Sequence, residues 1–547
     1  MTRLALLLSI STYAWAQLPP DPAAGGSLPV TNAHYRMDSV QLPAVAYPVD
    51  LWGTVWYPED LDAGPYPLIL FLHGNHGICR TPGTKLDAGT TLTPPLCPPG
   101  FEQTPNHLGY DYVASQLAGH GYIVVSINAN AVNVRANGNP ERGRLVLEHL
   151  RHWALWNSAE GAFPFGKQFS GKVNLNNIGL MGHSRGGEGI RAAYNYNRQD
   201  AAPFAIKALL EIGPVDFGRT SSLTAVTTGN ATFNVDGAAF SVILPGCDGD
   251  VLDNQGMRVY DRARILAEPR SPAPKSQIYI RGANHNFTNS EWNPEDPGFQ
   301  CIDFPIITDR PQQEAIAANY IMGFFRQYMG GENFPGLFTG DSAPPQSIRV
   351  PVEPSYTESP EKILLVDNFS GRGSPDTNGA GGANTISNIL MKTCAGAICN
   401  DPPPAAWVHD AGVSAAKLAW PGTVLGMPLL NMRLAAEEGT ASLSSYAAIS
   451  FRVAEQFDTR NPITTSQDFS IRLIDAAGTN SNAVALTAYR PLLYPTGYFY
   501  RRSVLKTIRI PLADFKGVDM SKIASVQFMF DKTPTGAIFL TDVQFTP

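Results

Sequence analysis

A serine hydroxyl is a weak nucleophile near neutral pH, effective only when a base takes its proton and a carboxylate orients that base. Three stretches of this chain supply side chains of those types. Gly182-His183-Ser184-Arg185-Gly186 is a G-x-S-x-G pentapeptide, Gly246-Cys247-Asp248-Gly249-Asp250-Val251 carries two carboxylates with a third nearby at Asp253, and Ala283-Asn284-His285-Asn286-Phe287 carries a histidine. A sharp strand-to-helix turn holds such a serine in a strained conformation, and glycine two residues to either side lets the flanking backbone pack close enough to form it. Ser184 is therefore the expected nucleophile.

His285 is the expected base, because it follows Ser184 at the end of a later strand, whereas His409 lies in a different part of the chain. Asp250 is expected to orient it, since its distance from Gly246 leaves room for the chain to turn out of a sheet. Asp248 is the alternative, and carboxylates not so used would cap the loop through Asx turns. Two backbone N–H groups must meet the developing oxyanion, and Arg185 and Asn75, the latter in His73-Gly74-Asn75-His76-Gly77, are placed to give them. Phe287 and Trp292 follow the histidine and would either wall a substrate site or pack their own loop. Arg185, Glu188 and Arg191 recur at i, i+3 and i+6, a spacing that allows ion pairing on one helix. No metal is expected: D-x-D-x-x-D misses the EF-hand spacing, and His73 and His76 have no companion carboxylate. The chemistry asks for no cofactor.

The elements that must carry these residues alternate. Short apolar runs at 53–57, 68–72, 122–128, 178–181, 208–212, 240–244 and 277–280 read as strands, with helical patterns at 110–118, 142–156, 185–196, 258–266 and 312–328. That alternation predicts an α/β class with a doubly wound, mostly parallel sheet. Beyond it, 341–360 is rich in Pro and Ser and reads as a linker. Period-two runs from 361 to 547 predict an all-β sandwich or jelly roll.

The chain has 547 residues, a net charge of −7 and only 16% charged residues, with no basic stretch to track phosphates, so nucleic acid is not an expected partner. Residues 1–16, with Arg3, an apolar run and Ala14-Trp15-Ala16 before Gln17, read as a secretory signal. No segment is long and apolar enough to span a membrane. The expected divisions are thus 1–16 signal, 17–340 catalytic, 341–360 linker and 361–547 β-domain. Six cysteines in an exported chain suggest disulfides, by proximity Cys79–Cys97, Cys394–Cys399 and, from the remainder, Cys247–Cys301. The last would tie the acid loop to the excursion after His285.

Leu70-Phe71-Leu72-His73-Gly74-Asn75-His76-Gly77, Gly121-Tyr122-Ile123-Val124-Val125-Ser126, Gly182-His183-Ser184-Arg185-Gly186-Gly187-Glu188-Gly189, Asp248-Gly249-Asp250-Val251 and Ala283-Asn284-His285-Asn286-Phe287 occur in that order. Over residues 35–330 the chain resembles the secreted bacterial α/β-hydrolases related to dienelactone hydrolases and cutinase-like polyester hydrolases. Residue by residue, the resemblance implies Ser184 as nucleophile, Asp250 as acid, His285 as base, and esterase activity. Polyester hydrolases usually have Met at the position of Arg185 and an aromatic residue at that of Asn75. Gly-His-Ser-Arg-Gly-Gly is shared with chlorophyllases, which points to esters of bulky alcohols. The strand pattern after residue 361 resembles galactose-binding and carbohydrate-binding jelly rolls, implying a carbohydrate or polymer surface as partner. The expected function is an exported serine esterase acting on small-molecule or polymeric esters. A serine peptidase or amidase with the same triad, or a carbohydrate-binding protein on a hydrolase-like scaffold, are the alternatives.

Overall fold

A computed structural model describes residues 20–547 apart from short interior stretches, the longest being 219–231, 266–273 and 297–306. The expected signal, 1–16, lies outside the described residues.

The largest sheet contains nine strands: β1 (Val30–Gln41), β2 (Pro48–Pro58), β3 (Tyr66–Leu72), β4 (Ile123–Ile127), β5 (Val173–His183), β6 (Ile206–Ile212), β7 (Ala239–Pro245), β8 (Lys275–Ile280) and β9 (Val352–Thr357). They lie in the order β1-β2-β4-β3-β5-β6-β7-β8-β9. The strands from β4 to β8 pair in parallel, while β1–β2, β2–β4 and β8–β9 are antiparallel.

This corrects the expected fold class. Strand accounts for 34% and helix for 20% of the structure, the large sheet is mixed, and six α-helices occur among the described residues. They are α1 (Asp111–Gly119), α2 (Asn130–Asn133), α3 (Asn139–Trp156), α4 (Arg185–Gln199), α5 (Gly256–Arg262) and α6 (Arg310–Tyr328). The physical reason is at the edges: β1 is largely solvent-facing and polar, so it lacks the apolar run that marks an interior parallel strand. Edge strand β9 falls inside the stretch that its Pro and Ser content predicted to be a linker.

The interior strands bury both faces. In β3, Leu68, Leu70 and Leu72 join one core with Trp153 of α3 and Ile190 of α4, while Ile69 and Phe71 join another with Leu117 of α1 and Phe324 of α6. The period-two alternation of side chains along a strand makes that division.

After β9 the chain builds two antiparallel sheets. One runs Leu390–Ala395, Ser414–Trp420, Gly536–Thr546, Ala448–Glu455 and Lys506–Pro511, with Leu364–Asp367 also on Gly536–Thr546; the other runs Asn384–Ser387, Leu429–Arg433, Ile523–Met529, Ser470–Asp475 and Val484–Ala485. Trp420, Phe451, Phe469 and Phe528 fill the core they share. The two parts of the chain are joined along β9, where the Ser355 hydroxyl donates to the Leu505 carbonyl at 2.9 Å and the Tyr356 N–H donates to Thr507 Oγ1 at 3.1 Å. Cys79–Cys97 and Cys394–Cys399 are disulfides. The Cys247–Cys301 pairing falls on Cys301, outside the described residues.

Candidate active site

Ser184 stands between β5 and α4 with φ 57° and ψ −125°, a left-handed conformation that costs a non-glycine residue about 1–3 kcal/mol. Its neighbours explain the glycines. A Cβ on Gly182 would collide with the Gly186 carbonyl, and one on Gly186 with the Leu72 carbonyl at the end of β3. The turn is pinned by the Ser184 N–H donating to the Ile212 carbonyl of β6 at 2.8 Å and by the Gly187 N–H donating to the Ser184 carbonyl at 2.9 Å.

His285 follows β8, and its Nδ1 donates to Asp248 Oδ2 at 2.9 Å, with both side chains almost completely buried. The other oxygen, Asp248 Oδ1, accepts from the N–H groups of Asp250 at 3.0 Å and Val251 at 2.6 Å. The carboxylate at Nδ1 is thus Asp248 rather than the expected Asp250. The reason is local: the loop folds back so that the first carboxylate turns inward and is capped by the next two peptides. Asp250 remains 64% exposed, with its Oδ2 3.5 Å from His285 Nε2. Nε2 has no hydrogen-bond partner among the described residues.

Two backbone bonds join the loops that carry Asp248 and His285, Gly246 N–H to the Ile280 carbonyl at 2.9 Å and Cys247 N–H to the Ala283 carbonyl at 2.7 Å. Gly213 brings the serine turn to the pair. A Cβ on Gly213 would lie 3.1 Å from both Asp248 Oδ2 and His285 Nδ1, and Gly213 follows the residue that accepts from Ser184. The ring of His183, next to the serine, is 4.9 Å from that of His285.

Burial disfavours the imidazolium of His285, but the Asp248 carboxylate, helped by Asp250 and Asp296, outweighs it and holds the proton up to about 9. Asp296, which sequence reasoning missed, accepts from the His285 N–H; burial, with Asp248 adding to it, pushes its carboxyl up to about 6. Nothing in its loop sequence marks it.

His73 Nε2 accepts from the Ala129 N–H at 2.8 Å, so Nδ1 carries the proton and donates to the Gly74 carbonyl at 2.8 Å. Burial lowers His73 to about 3 and His76 to about 4, keeping both neutral. Asn133 Nδ2 adds a second donor to the Gly74 carbonyl at 3.2 Å. In a planar trans peptide the C=O and the following N–H point in opposite directions, so anchoring the Gly74 carbonyl fixes the direction of the Asn75 N–H. Gly74 itself is against Ser184: a Cβ there would lie 2.6 Å from Ser184 Cβ. Arg185 opens α4, its guanidinium 5.8 Å from the Phe217 ring.

The two aromatics expected as possible walls are interior. Trp292 is fully buried and stacks on His183 at 4.5 Å and His76 at 4.7 Å, forming a rigid backing for the site histidines. Phe287 is buried, with the Arg310 guanidinium 5.2 Å from its ring centroid. On α4, Arg191 pairs with Glu211 of β6 at 2.6 Å and with Asp216 at 3.1 Å, so the ion pairs anchor the helix to its surroundings. Glu188 accepts from the Gly218 N–H and from Asn139 Nδ2, and burial raises it to about 7. Among the described residues, no three His, Cys, Asp or Glu side chains are grouped to hold a metal ion.

A scan of protein-family models finds no match for the chain, and a comparison with curated proteins finds none.

Proposed function

We propose that this chain is a serine hydrolase that cleaves carboxylic esters through an acyl-enzyme. The observation that carries the reading is the buried Asp248–His285 hydrogen bond, against which Gly213 packs one residue after the partner of the Ser184 N–H, with Ser184 held at positive φ and His285 Nε2 free of a hydrogen-bond partner among the described residues. In this scheme His285 Nε2 takes the Ser184 proton as Oγ attacks the ester carbonyl, and Asp248 fixes the imidazole so that Nδ1 carries the other proton. The N–H groups of Asn75 and Arg185 receive the oxyanion. His285 then protonates the leaving alcohol, and water repeats the sequence on the acyl-enzyme.

The same reading proposes kinship with secreted ester hydrolases and a substrate met outside the cell. Two disulfides suit an oxidising compartment. Among the described residues no helix is long and apolar enough to cross a membrane. The test is a fluorophosphonate probe with mapping of the labelled residue, alongside matched p-nitrophenyl ester and amide substrates. Labelling at Ser184 with ester turnover supports the reading, and a native protein that neither labels nor turns over any ester refutes it.

A further inference from the structure

The loop that carries Asp248 is not held by its own part of the chain alone. Between β7 and α5 the chain leaves the sheet at Gly246 and re-enters regular structure at Gly256, so the carbonyls of Gly246 and Leu252 have no strand or helix partner. One side chain satisfies both. Arg502, 2% exposed and contributed from beyond residue 500, donates through Nη2 to the Gly246 carbonyl at 2.9 Å and through Nη1 to the Leu252 carbonyl at 3.0 Å. A guanidinium suits this task because its donors diverge from one rigid plane, so a single group fixes the separation of two acceptors.

The helix that follows is gripped from the same side. Asp261 at the end of α5 accepts from His409 Nδ1 at 2.9 Å and from the Asp410 N–H at 3.1 Å, and it pairs with Arg452 at 2.9 Å. Arg262 returns a contact to Asp410 at 3.1 Å. The segment from Gly246 to Arg262 is thereby clamped at both ends by residues from the C-terminal part of the chain, and Asp248 sits inside the span that Arg502 measures.

We infer that Arg502 is a positioning residue for the Asp248–His285 pair: a guanidinium from the C-terminal part of the chain sets the geometry of the loop that presents the carboxylate. The inference rests on the serine-hydrolase reading above. The link runs through backbone. Arg502 fixes Gly246 and Leu252, the intervening Asp250 and Val251 N–H groups hold Asp248 Oδ1, and Asp248 Oδ2 holds His285 Nδ1. A displacement of the loop by a fraction of an ångström passes directly to the imidazole.

The experiment uses the full chain with Arg502→Lys and Arg502→Met, assayed on p-nitrophenyl butyrate, labelled with a fluorophosphonate, and followed by hydrogen exchange over residues 246–254. Lysine can reach one carbonyl at a time and methionine neither. The expected result is a kcat about 10- to 100-fold lower for Arg502→Met and a smaller loss for Arg502→Lys, with KM within about twofold, because misplacing a catalytic group acts on the chemical step. Probe labelling slows in parallel, and the amides of Asp250 and Val251 exchange faster while the strands stay protected. If the methionine variant does not fold, the lysine variant decides by the same measurements. Parent protein that labels at Ser184 while the folded variants keep kcat and loop exchange near parental values overturns the inference alone. Parent protein that neither labels nor turns over ester overturns the reading beneath it, and the exchange comparison still reports whether Arg502 holds the loop.

Discussion

Asp248 and His285, 37 residues apart in sequence, meet at 2.9 Å with both side chains withdrawn from solvent, while Asp250, only two residues further on, remains in water on the other side of the same ring. Burial separates the roles of two chemically identical groups: one orients the imidazole through Nδ1, the other bears on its charge through Nε2.

Asp248→Asn is therefore expected to lower kcat by about 10³- to 10⁴-fold, because an amide can stabilise the wrong tautomer and cannot compensate an imidazolium. Asp250→Asn leaves kcat within about one order of magnitude, as an exposed charge is screened. Steady-state kinetics of the two variants on one ester discriminates them, and a reversal of the ranking would return the orienting role to Asp250.

The pH dependence has a definite sign. In the proposed mechanism His285 can act as a base only when Nε2 is unprotonated, and its carboxylate neighbours hold the proton up to about 9. Ester hydrolysis is expected to rise with pH through the neutral range toward that value. Removing the Asp250 charge moves the rising limb to lower pH, and added salt does the same more weakly. Because the folded value is raised above the unfolded one of about 6.5, the pair's contribution to stability is fully present below about pH 6.5 and is lost as pH rises through the folded value. Profiles of kcat/KM and thermal melts over that range measure both effects. An Asp250→Asn profile superimposable on the parent's would show that the exposed carboxylate does not bear on the base.

Ser184 is held at φ 57°, where only glycine is at ease. Ser184→Ala keeps the strain and removes the proposed nucleophile, so activity is expected to fall by about 10⁴-fold or more at nearly parental melting temperature. Ser184→Gly is equally inactive but relieves the backbone, and its unfolding free energy is expected to exceed that of the alanine variant by about 1 kcal/mol. Denaturant titration of the pair measures the difference; equal stabilities would mean that the turn is unstrained in solution.

Arg452 reaches Asp261 at 2.9 Å across the junction between the two parts of the chain, and both side chains are buried. Arg452→Met takes the guanidinium from the buried Asp261 carboxylate, which keeps its hydrogen bonds from His409 and Asp410, and is expected to cost about 3 kcal/mol. Adding Asp261→Asn to the same chain should restore part of that loss. A double-mutant cycle with no coupling would show that His409 alone compensates Asp261.

The serine turn was legible because its cause is local: the collisions that a Cβ would make at Gly182 and Gly186 are written into residue spacing. His285 was legible for a related reason, as a histidine just beyond an apolar strand. The choice between Asp248 and Asp250 was not, since it depends on which way a short loop folds and on a guanidinium 250 residues away. Trp292 reads as a loop aromatic, and only its stacking on His76 and His183 shows that it is interior. The fold class was misread where amphipathic signals are weakest, in the polar edge strand β1 and in β9, whose Pro354 and surrounding prolines suggest a tether. Those edges are held by neighbours in space, which no local pattern records.

Strand β9 has one further consequence, for how the protein can be divided. It hydrogen-bonds to β8 along its whole length, from Lys275–Thr357 to Ile280–Val352. A chain trimmed at residue 340 would bare that row of N–H and C=O groups as an open rim, the kind of border on which a second molecule can add its own strand. Such a fragment is prone to stick to its own kind, and the visible change in composition along the polypeptide is a poor guide to where it can be cut.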